Sequence, residues 1–565
     1  MWNLNGNIDT VILIIQLRKM NAFNSPLDAF LYWEAESPNQ VFLNQPINNQ
    51  KTSFTFKEAG EEARKMAAYL KSLNLPERSH IALLSKNCAH WIMSDLAIMM
   101  AGYVSIPIYP TLNSSSMNQI LTHSESKAII IGKLDDFASQ KEGIPDIPKI
   151  SVGLFGESEG VLWEDIINNT EQLIDVHKPE PEALHTIIYT SGTTGNPKGV
   201  MHTGSNFMES SSTLVREFSL DTKVKLFSYL PLAHVAERLL INGGIVLGGT
   251  ITFVDSLETF AKDLEAVQPN LFFAVPRIWT KFREKILESI PQKKLNVLLK
   301  MPIINNIIKK KLKQKLGLSE TIFIASAAAP IASEIVEWYL KLGITIYQGY
   351  GMTEDCCVSH FNKPGANKIG TVGKTFDNVK VKLSPEGEIC IKNKCLMKGY
   401  FKAPELTAEV IDNEGYLKTG DMGEFDHDGF LSIVGRVKDQ FKTDKGKYIS
   451  PSHIELLMTE NTDIEQICIV GTGIPQPIAL VTLSELGKAK SKQNVSKSLL
   501  TSVTKINPSL EKHERLEKVV VMKEDWNVSN GLTTPSMKVK RNSIEKIHQE
   551  FYPNWFNTSE NVIFE

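Results

Sequence analysis

The residues that concentrate the most chemistry lie between Tyr189 and Val200, in the order Tyr-Thr-Ser-Gly-Thr-Thr-Gly-Asn-Pro-Lys-Gly-Val. Gly192 and Gly195 alternate with the hydroxyls of Thr190, Ser191, Thr193 and Thr194, and Lys198 adds a positive charge. Glycines let a backbone approach a ligand closely, while hydroxyls and free N–H groups donate to phosphate oxygens. The apolar run Thr186-Ile187-Ile188 comes just before, so the pattern reads as a polyphosphate-holding loop at a strand end. A P-loop is excluded by its own spacing, because Lys198 precedes Gly199 and Val200 stands where a magnesium-binding hydroxyl is needed. Composition alone also fits a surface loop, since Gly, Ser, Thr and Pro are turn residues.

The segment resembles the phosphate-binding signature of the adenylate-forming, or AMP-binding, superfamily, which includes acyl-CoA synthetases, luciferases and the adenylation domains of peptide synthetases. Further stretches match that superfamily in order. Ser326-Ala327-Ala328-Ala329-Pro330 resembles its small-residue segment, where Ala328 and Ala329 let a flat adenine ring approach. Tyr347 to Glu354 resembles its adenine-side and metal-side motif. There the resemblance implies that Tyr350, between Gly349 and Gly351, stacks on the purine. It also implies that Thr353 borders the nucleotide and that Glu354, with Thr194, holds Mg²⁺, an ion that prefers a few oxygen ligands plus substrate phosphates. Tyr416 to Asp421 resembles the ribose-binding motif, and a carboxylate can accept two hydrogen bonds from a vicinal diol. Gly435 to Asp439 resembles the ribose-contacting arginine, Arg436, followed by a hinge at Lys438.

Near the C-terminus, Leu532 to Arg541 resembles the long-chain form of the catalytic-lysine motif. An ammonium beside the α-phosphate stabilises charge as a carboxylate attacks phosphorus. Lys538 and Lys540 fall on one side of an extended segment, so spacing does not choose between them; family register chooses Lys538. Pro231-Leu232-Ala233-His234-Val235-Ala236-Glu237-Arg238 is similar to a long-chain synthetase signature and unlike the amine-binding pocket of peptide synthetases. It places His234 near the acyl carbonyl. The apolar run that follows, with Gly243-Gly244, either walls an acyl tunnel or forms ordinary core. Phe441 to Tyr448 resembles the loop brought in for coenzyme A, with Lys445 and Gly446 as its candidates.

Positioning so many groups takes a large scaffold. The 565 residues exceed what one core organises. Between Ala183 and Gly351, apolar runs at Leu226–Leu230, Thr250–Val254, Leu271–Val275, Thr321–Ala325 and Ile344–Tyr347 alternate with helical patterns such as Phe260–Val267 and Ile331–Leu342. That alternation predicts an α/β fold with mixed, mostly parallel sheets flanked by helices, whose ligands gather at strand ends. A β-rich subdomain follows Gly370. A small α+β C-terminal lid starts near Arg436, with Ser450 as N-cap of a helix opening at Pro451. The expected units are an N-terminal extension, 1–19, outside the fold; an AMP-binding domain, 20–436; and the lid, 437–565.

The formal charge of −3 offers nothing to a nucleic-acid partner, and six cysteines without paired spacing fit a reducing cytoplasm rather than a zinc site or disulfides. The apolar run Val11–Ile15 is too short for a bilayer, which takes about 20 residues. The lysines of Lys309–Lys315 lie among isoleucines and leucines in an amphipathic basic helix, which is either a solvated face or a peripheral membrane contact. The oligomeric state is not written in these patterns. Together they imply a cytoplasmic ligase that uses ATP, Mg²⁺ and coenzyme A to activate a long-chain fatty acid. A ligase loading a carrier protein, and a non-catalytic fatty-acid or nucleotide binding protein, are the alternatives.

Overall fold

The computed structural model describes residues 23–565 except 49, 157, 192–196, 219, 221 and 535, and at Ser191 the backbone alone. The extension expected at 1–19 lies outside the described residues.

An eight-stranded mixed sheet carries the centre of the molecule. His80–Leu84, Val104–Ile108, Ala128–Ile131 and Lys149–Ser151 run parallel, and Leu184–Ser191 joins them beside Val104–Ile108. Pro197–Thr203 then turns back antiparallel to Leu184–Ser191, and Gly399–Tyr400 closes that edge. Ile81, Ala82 and Leu84 have no exposed surface, and the helix Ala89–Met100 is buried along its whole length. Continuous apolar runs therefore replace alternation here, as parallel strands covered on both faces require. The helix Phe56–Ser72 begins with a capping box, Glu58 N–H donating to Thr55 Oγ1 and Thr55 N–H to Glu58 Oε2; an N-cap of this type contributes about 1 kcal/mol.

A second sheet, Leu271–Ala274, Phe323–Ser326, Tyr347–Tyr350, His360–Phe361 and Lys374–Thr375, begins parallel and ends antiparallel. The strand expected over Ile344–Tyr347 is displaced to Tyr347–Tyr350. Ile344 and Ile346 are buried on the approach, so their apolarity marks burial, while the ladder with Ala325 and Ser326 begins only at Tyr347. An antiparallel sheet, Lys380–Leu383, Glu388–Lys392, Leu417–Phe425 and Leu431–Arg436, forms the β-rich region.

Beyond Arg436, Ile464–Val470, Ile478–Leu483, Lys518–Val521 and Val562–Phe564 make a sheet whose two faces carry separate hydrophobic clusters, one around Val481 and Leu499, the other around Trp526 and Tyr552. The helix Pro451–Met458 starts where expected, but Ser450 does not cap it: its Oγ donates instead to Val434 O at 3.0 Å, tying the helix to the preceding strand. Leu456 of this helix packs against the core of the large domain. Arg277 pairs with Glu465 across the same junction, and Lys505 lies 3.5 Å from Glu334. No helix among the described residues is long and apolar enough to cross a membrane.

Candidate active site

Some of the expected residues come together at one site, among them Tyr350, Asp421 and Arg436, with Glu354 and Lys538 beside them. The strand Leu184–Ser191 delivers Thr190, which pairs with Lys198 on the returning strand. Gly192, Thr193, Thr194 and Gly195 lie outside the described residues, as does the side chain of Ser191. Lys198 places its Nζ 5.3 Å from the centre of the Tyr400 ring. The Tyr400 hydroxyl donates to Glu354 Oε1 at 2.7 Å, and burial raises the phenol's pKa, so it stays a donor. Glu354 is buried in the turn Thr353–Asp355, and its Oε2 takes no hydrogen bond among the described residues. That free oxygen, in a carboxylate fixed through its other one, suits a hard divalent cation. Thr353 O receives His202 Nε2 at 2.8 Å, which anchors the turn from below.

Tyr350 ends the strand Tyr347–Tyr350. Its neighbouring glycines have separate packing reasons: a Cβ on Gly349 would meet the Phe361 ring at 2.2 Å, and one on Gly351 would meet Cys357 Cα at 2.5 Å. The Tyr350 hydroxyl donates to Asp421 Oδ2 at 2.8 Å, and Arg436 Nε donates to Asp421 Oδ1 at 2.7 Å. Asp421 lies opposite Arg436 in the sheet register, and Gly420, at φ +75°, makes the bend that aims it. The Asp421 charge raises the pKa of Arg436 further. Ser326 pairs with Gln348, which sets Ala328 and Ala329 beside this strand; Ala328 takes a left-handed φ of 69°, uncommon for a residue with a Cβ.

Lys538 reaches this group from the C-terminal unit. Its turn is closed by Thr534 N–H to Lys538 O at 2.8 Å and Lys538 N–H to Thr534 Oγ1 at 3.0 Å. The side chain keeps solvent-exposed surface, yet protein crowds it enough that desolvation lowers its pKa; Arg436 adds to this, while Asp421, Cys357 and Glu354 oppose it. Lys540, the rival on spacing, stands at the start of the helix Arg541–His548, with its N–H bonded to Leu532 O at 2.8 Å. Lys438 lies exposed in the turn Val437–Asp439. Lys445 and Gly446 form the exposed turn between Phe441–Lys442 and Tyr448–Ile449, and no hydrogen bond or ion pair among the described residues ties them to the cleft.

His234 is the N-cap of the helix Val235–Val246, its Nδ1 accepting Ala236 N–H at 3.1 Å. Burial, helped by the charge of Lys538, pushes its pKa down to about 4. A neutral imidazole whose Nδ1 accepts must carry its proton on Nε2, so His234 offers a donor and no free base. Glu237 and Arg238, in the first turn, hold this helix in place. Glu237, raised to about 8 by burial, accepts Ser228 Oγ at 2.6 Å and Asn87 Nδ2 at 3.3 Å. Arg238 donates to Asp95 Oδ2 at 2.7 Å and Thr186 Oγ1 at 2.6 Å, with Trp91 and Phe207 rings each 5.3 Å from its guanidinium carbon. Of the two glycines, Gly244 would drive a Cβ into Leu226 at 2.4 Å, whereas a Cβ on Gly243 would meet nothing within 4 Å. Gly244 therefore serves helix–strand packing, and only Gly243 borders open space.

Sequence reasoning missed Tyr400 and Cys357. Tyr400 acts through Glu354, 46 positions away, and no local pattern announces that bond. Cys357, at φ 58°, packs beside Ile188, Phe207 and Val235 and feels the charge of Lys538.

Known proteins are similar to the chain in sequence and in fold. The chain is 28% identical to a fatty acyl-CoA synthetase A of Dictyostelium discoideum, over 88% of this chain and 84% of the relative. It is 27% identical to a long-chain-fatty-acid–CoA ligase 5 of Rattus norvegicus, over 91% and 86%. Its fold superposes on the adenylation domain of a carboxylate reductase from Mycobacterium chelonae with a TM-score of 0.80 at 18% identity, covering 96% of this chain and 93% of that one. The C-terminal domain model of AMP-binding enzymes matches residues 438–554. With the AMP-binding enzyme model itself matching residues 30–401, the chain belongs to the AMP-binding enzyme family.

Proposed function

We propose that this protein is a long-chain fatty acid:CoA ligase that works through an acyl-adenylate. The observation that carries the reading is the meeting of Lys538, from the C-terminal unit, with Glu354, Asp421, Arg436 and His234 of the large one. In the first step a carboxylate oxygen of the acid attacks the α-phosphorus of ATP, and the bond to pyrophosphate breaks. Lys538 stabilises the charge that builds on the phosphoryl oxygens. Asp421 receives the ribose hydroxyls, Tyr350 flanks the base beside Ala328 and Ala329, and Thr190, Ser191, Thr193, Thr194 and Lys198 hold the outer phosphates. Glu354 and Thr194 supply oxygens for Mg²⁺, which neutralises phosphate charge when bound. His234 Nε2–H orients the acid, whose chain runs past Gly243.

In the second step the thiol sulfur of coenzyme A attacks the acyl carbon, the thiol proton is released, and AMP leaves. The lid, 437–565, swings on the large unit, 20–436, about Lys438, so that the turn at Lys445 and Gly446 replaces Lys538; such motions complete one site at a time. The resemblance to a fatty acyl-CoA synthetase and a long-chain-fatty-acid–CoA ligase, and the segment Pro231–Arg238, support a long-chain acid over a short or aromatic one. The protein acts on the cytoplasmic side, where the basic helix near Lys309–Lys315 touches a membrane that dissolves its substrate.

Pyrophosphate exchange over acids from acetate to long-chain and aromatic ones, followed by transfer to coenzyme A, tests the reading. Exchange with long-chain acids and transfer to free coenzyme A is the expected result. Exchange without transfer would favour a carrier-loading ligase, and no exchange with any acid would leave only a binding protein.

A further inference from the structure

Three residues after Lys538 the chain carries a second cation, Arg541, whose side chain is only 11% exposed. Its guanidinium is engaged within the C-terminal unit: Nη2 donates to Glu455 Oε1 and Nη1 to Ile469 O, with Cys468 Sγ 3.3 Å away. Glu455 Oε1 also accepts Ile469 N–H at 2.8 Å, so carboxylate, peptide and guanidinium close a ring on the strand Ile464–Val470. Among the described residues no other side chain from Leu532 to Arg541 enters an ion pair.

Glu455 belongs to the helix Pro451–Met458, which seats the C-terminal unit on the large one. Leu456 packs against the core of the large unit, and Ser450, just before the helix, donates to Val434 O at 3.0 Å. A short line of contacts therefore runs from the large unit through Glu455 to Arg541 and on to the turn that carries Lys538. The turn's own bonds, Thr534 N–H to Lys538 O and Lys538 N–H to Thr534 Oγ1, shape it without aiming it.

A clamp needed for folding alone would be served as well by apolar side chains, since a buried ion pair is often no more stable than well-packed hydrophobic residues of its volume. What the charged fork adds is a fixed direction. We propose that Arg541, held by Glu455, is a positioning residue that sets where Lys538 stands against Asp421 and Arg436. Its kinetic consequence rests on the ligase reading given above; its structural consequence does not.

Arg541→Lys keeps the charge and loses the fork that spans Glu455 and Ile469. Hydrogen–deuterium exchange of the full-length protein, read by mass spectrometry, should show the amides of Leu532–Lys540 exchanging at least about fivefold faster in this variant, with those of Ile478–Leu483 unchanged. Pyrophosphate exchange with a long-chain acid should lose about tenfold to a hundredfold in kcat, as a misplacement of about 1 Å can, while KM for ATP stays within about twofold. Transfer from preformed acyl-adenylate to coenzyme A should also stay within about twofold, since Lys538 is withdrawn in that step. In a Lys538→Ala background Arg541→Lys should cost nothing further, because both changes act through one ammonium. Arg541→Met with Glu455→Met replaces the pair by apolar groups; it should keep the melting temperature within a few degrees and show the same faster amide exchange and the same loss of kcat. Unchanged amide exchange at Leu532–Lys540 in both variants overturns the proposal. Equal loss in both half-reactions, or a full further loss in the Lys538→Ala background, also overturns it and leaves Arg541 a staple of the lid fold. If Lys538→Ala itself keeps full pyrophosphate exchange, the catalytic assignment fails, while faster amide exchange confined to Leu532–Lys540 still supports the positioning.

Discussion

Asp421 and Arg436 face each other across two antiparallel strands, and the carboxylate divides its oxygens between Arg436 Nε at 2.7 Å and the Tyr350 hydroxyl at 2.8 Å. One residue thereby orients both the ring proposed for the base and the arginine proposed for the sugar. Asp421→Asn loses the charge-assisted bond, worth about 1.5–3 kcal/mol. The expected outcome is a rise of roughly tenfold to a hundredfold in KM for ATP, read by pyrophosphate exchange. Tyr350→Phe removes one neutral donor and should cost about fivefold.

Lys538→Ala should lower acyl-adenylate formation by about 10²- to 10³-fold, as loss of a transition-state donor does elsewhere. Preformed acyl-adenylate should still react with coenzyme A at close to the unaltered rate. Lys540→Ala, on a helix start rather than in the cleft, should change exchange by no more than about twofold. Equal damage to both half-reactions in Lys538→Ala would refute the assignment.

Because His234 is neutral with its proton on Nε2, its loss should be felt by the acid and not by ATP. His234→Ala is expected to raise KM for the acid by about tenfold or more while leaving KM for ATP unchanged. No ionisation of His234 should appear in the pH profile above pH 5, since its pKa is about 4.

The junction between the two units is held by Arg277 with Glu465 and by Lys505 near Glu334, in the same structure that sets Lys538 beside Arg436 and Asp421. Exposed pairs contribute about 0.2–1 kcal/mol. Glu465→Arg should therefore slow single-turnover adenylation by up to about fivefold without slowing thioester formation, and adding Arg277→Glu should restore it. Unchanged adenylation in Glu465→Arg would remove any role for the pair in positioning the lid.

Folding stability should peak near pH 6.5 to 7. His90, His185, His202 and His234 are lowered to about 4, and His360 to about 3, chiefly by desolvation. The unfolded chain binds more protons at these sites below pH 6.5, so stability falls as pH drops, each site costing about 1–2 kcal/mol by pH 5. Glu237 and Asp355 are raised from 4.5 and 3.8 to about 8 and about 7, so between those limits the folded state binds more protons and their contribution declines as pH rises, unopposed by the histidines above pH 6.5. Urea midpoints at pH 5, 6.5 and 8.5 measure both limbs, and Glu237→Gln should flatten the upper one.

What the chain determined by itself was the inventory and its order. The glycine and hydroxyl pattern at Tyr189–Val200, the carboxylate at Asp421 and the lysines near the C-terminus are local signals, because each group needs a particular backbone turn or extended segment that nearby residues dictate. The helix Phe260–Val267 and the strand Ile478–Leu483 were legible for the same reason, since periodicity and flanking breakers lie within the element. Other matters belonged to the tertiary structure alone. Spacing left Lys538 and Lys540 on one side, and only the folded chain sets Lys538 among the charges of Arg436, Asp421 and Glu354. The bond from Tyr400 to Glu354, the open side of Gly243 against the packed side of Gly244, and the transfer of the Ser450 hydroxyl to Val434 all join residues from different elements. The amphipathic pattern around Lys309–Lys315 named its apolar residues without saying which would meet the core. Such choices are decided by distance in the folded chain, where burial and charge act between residues far apart in sequence.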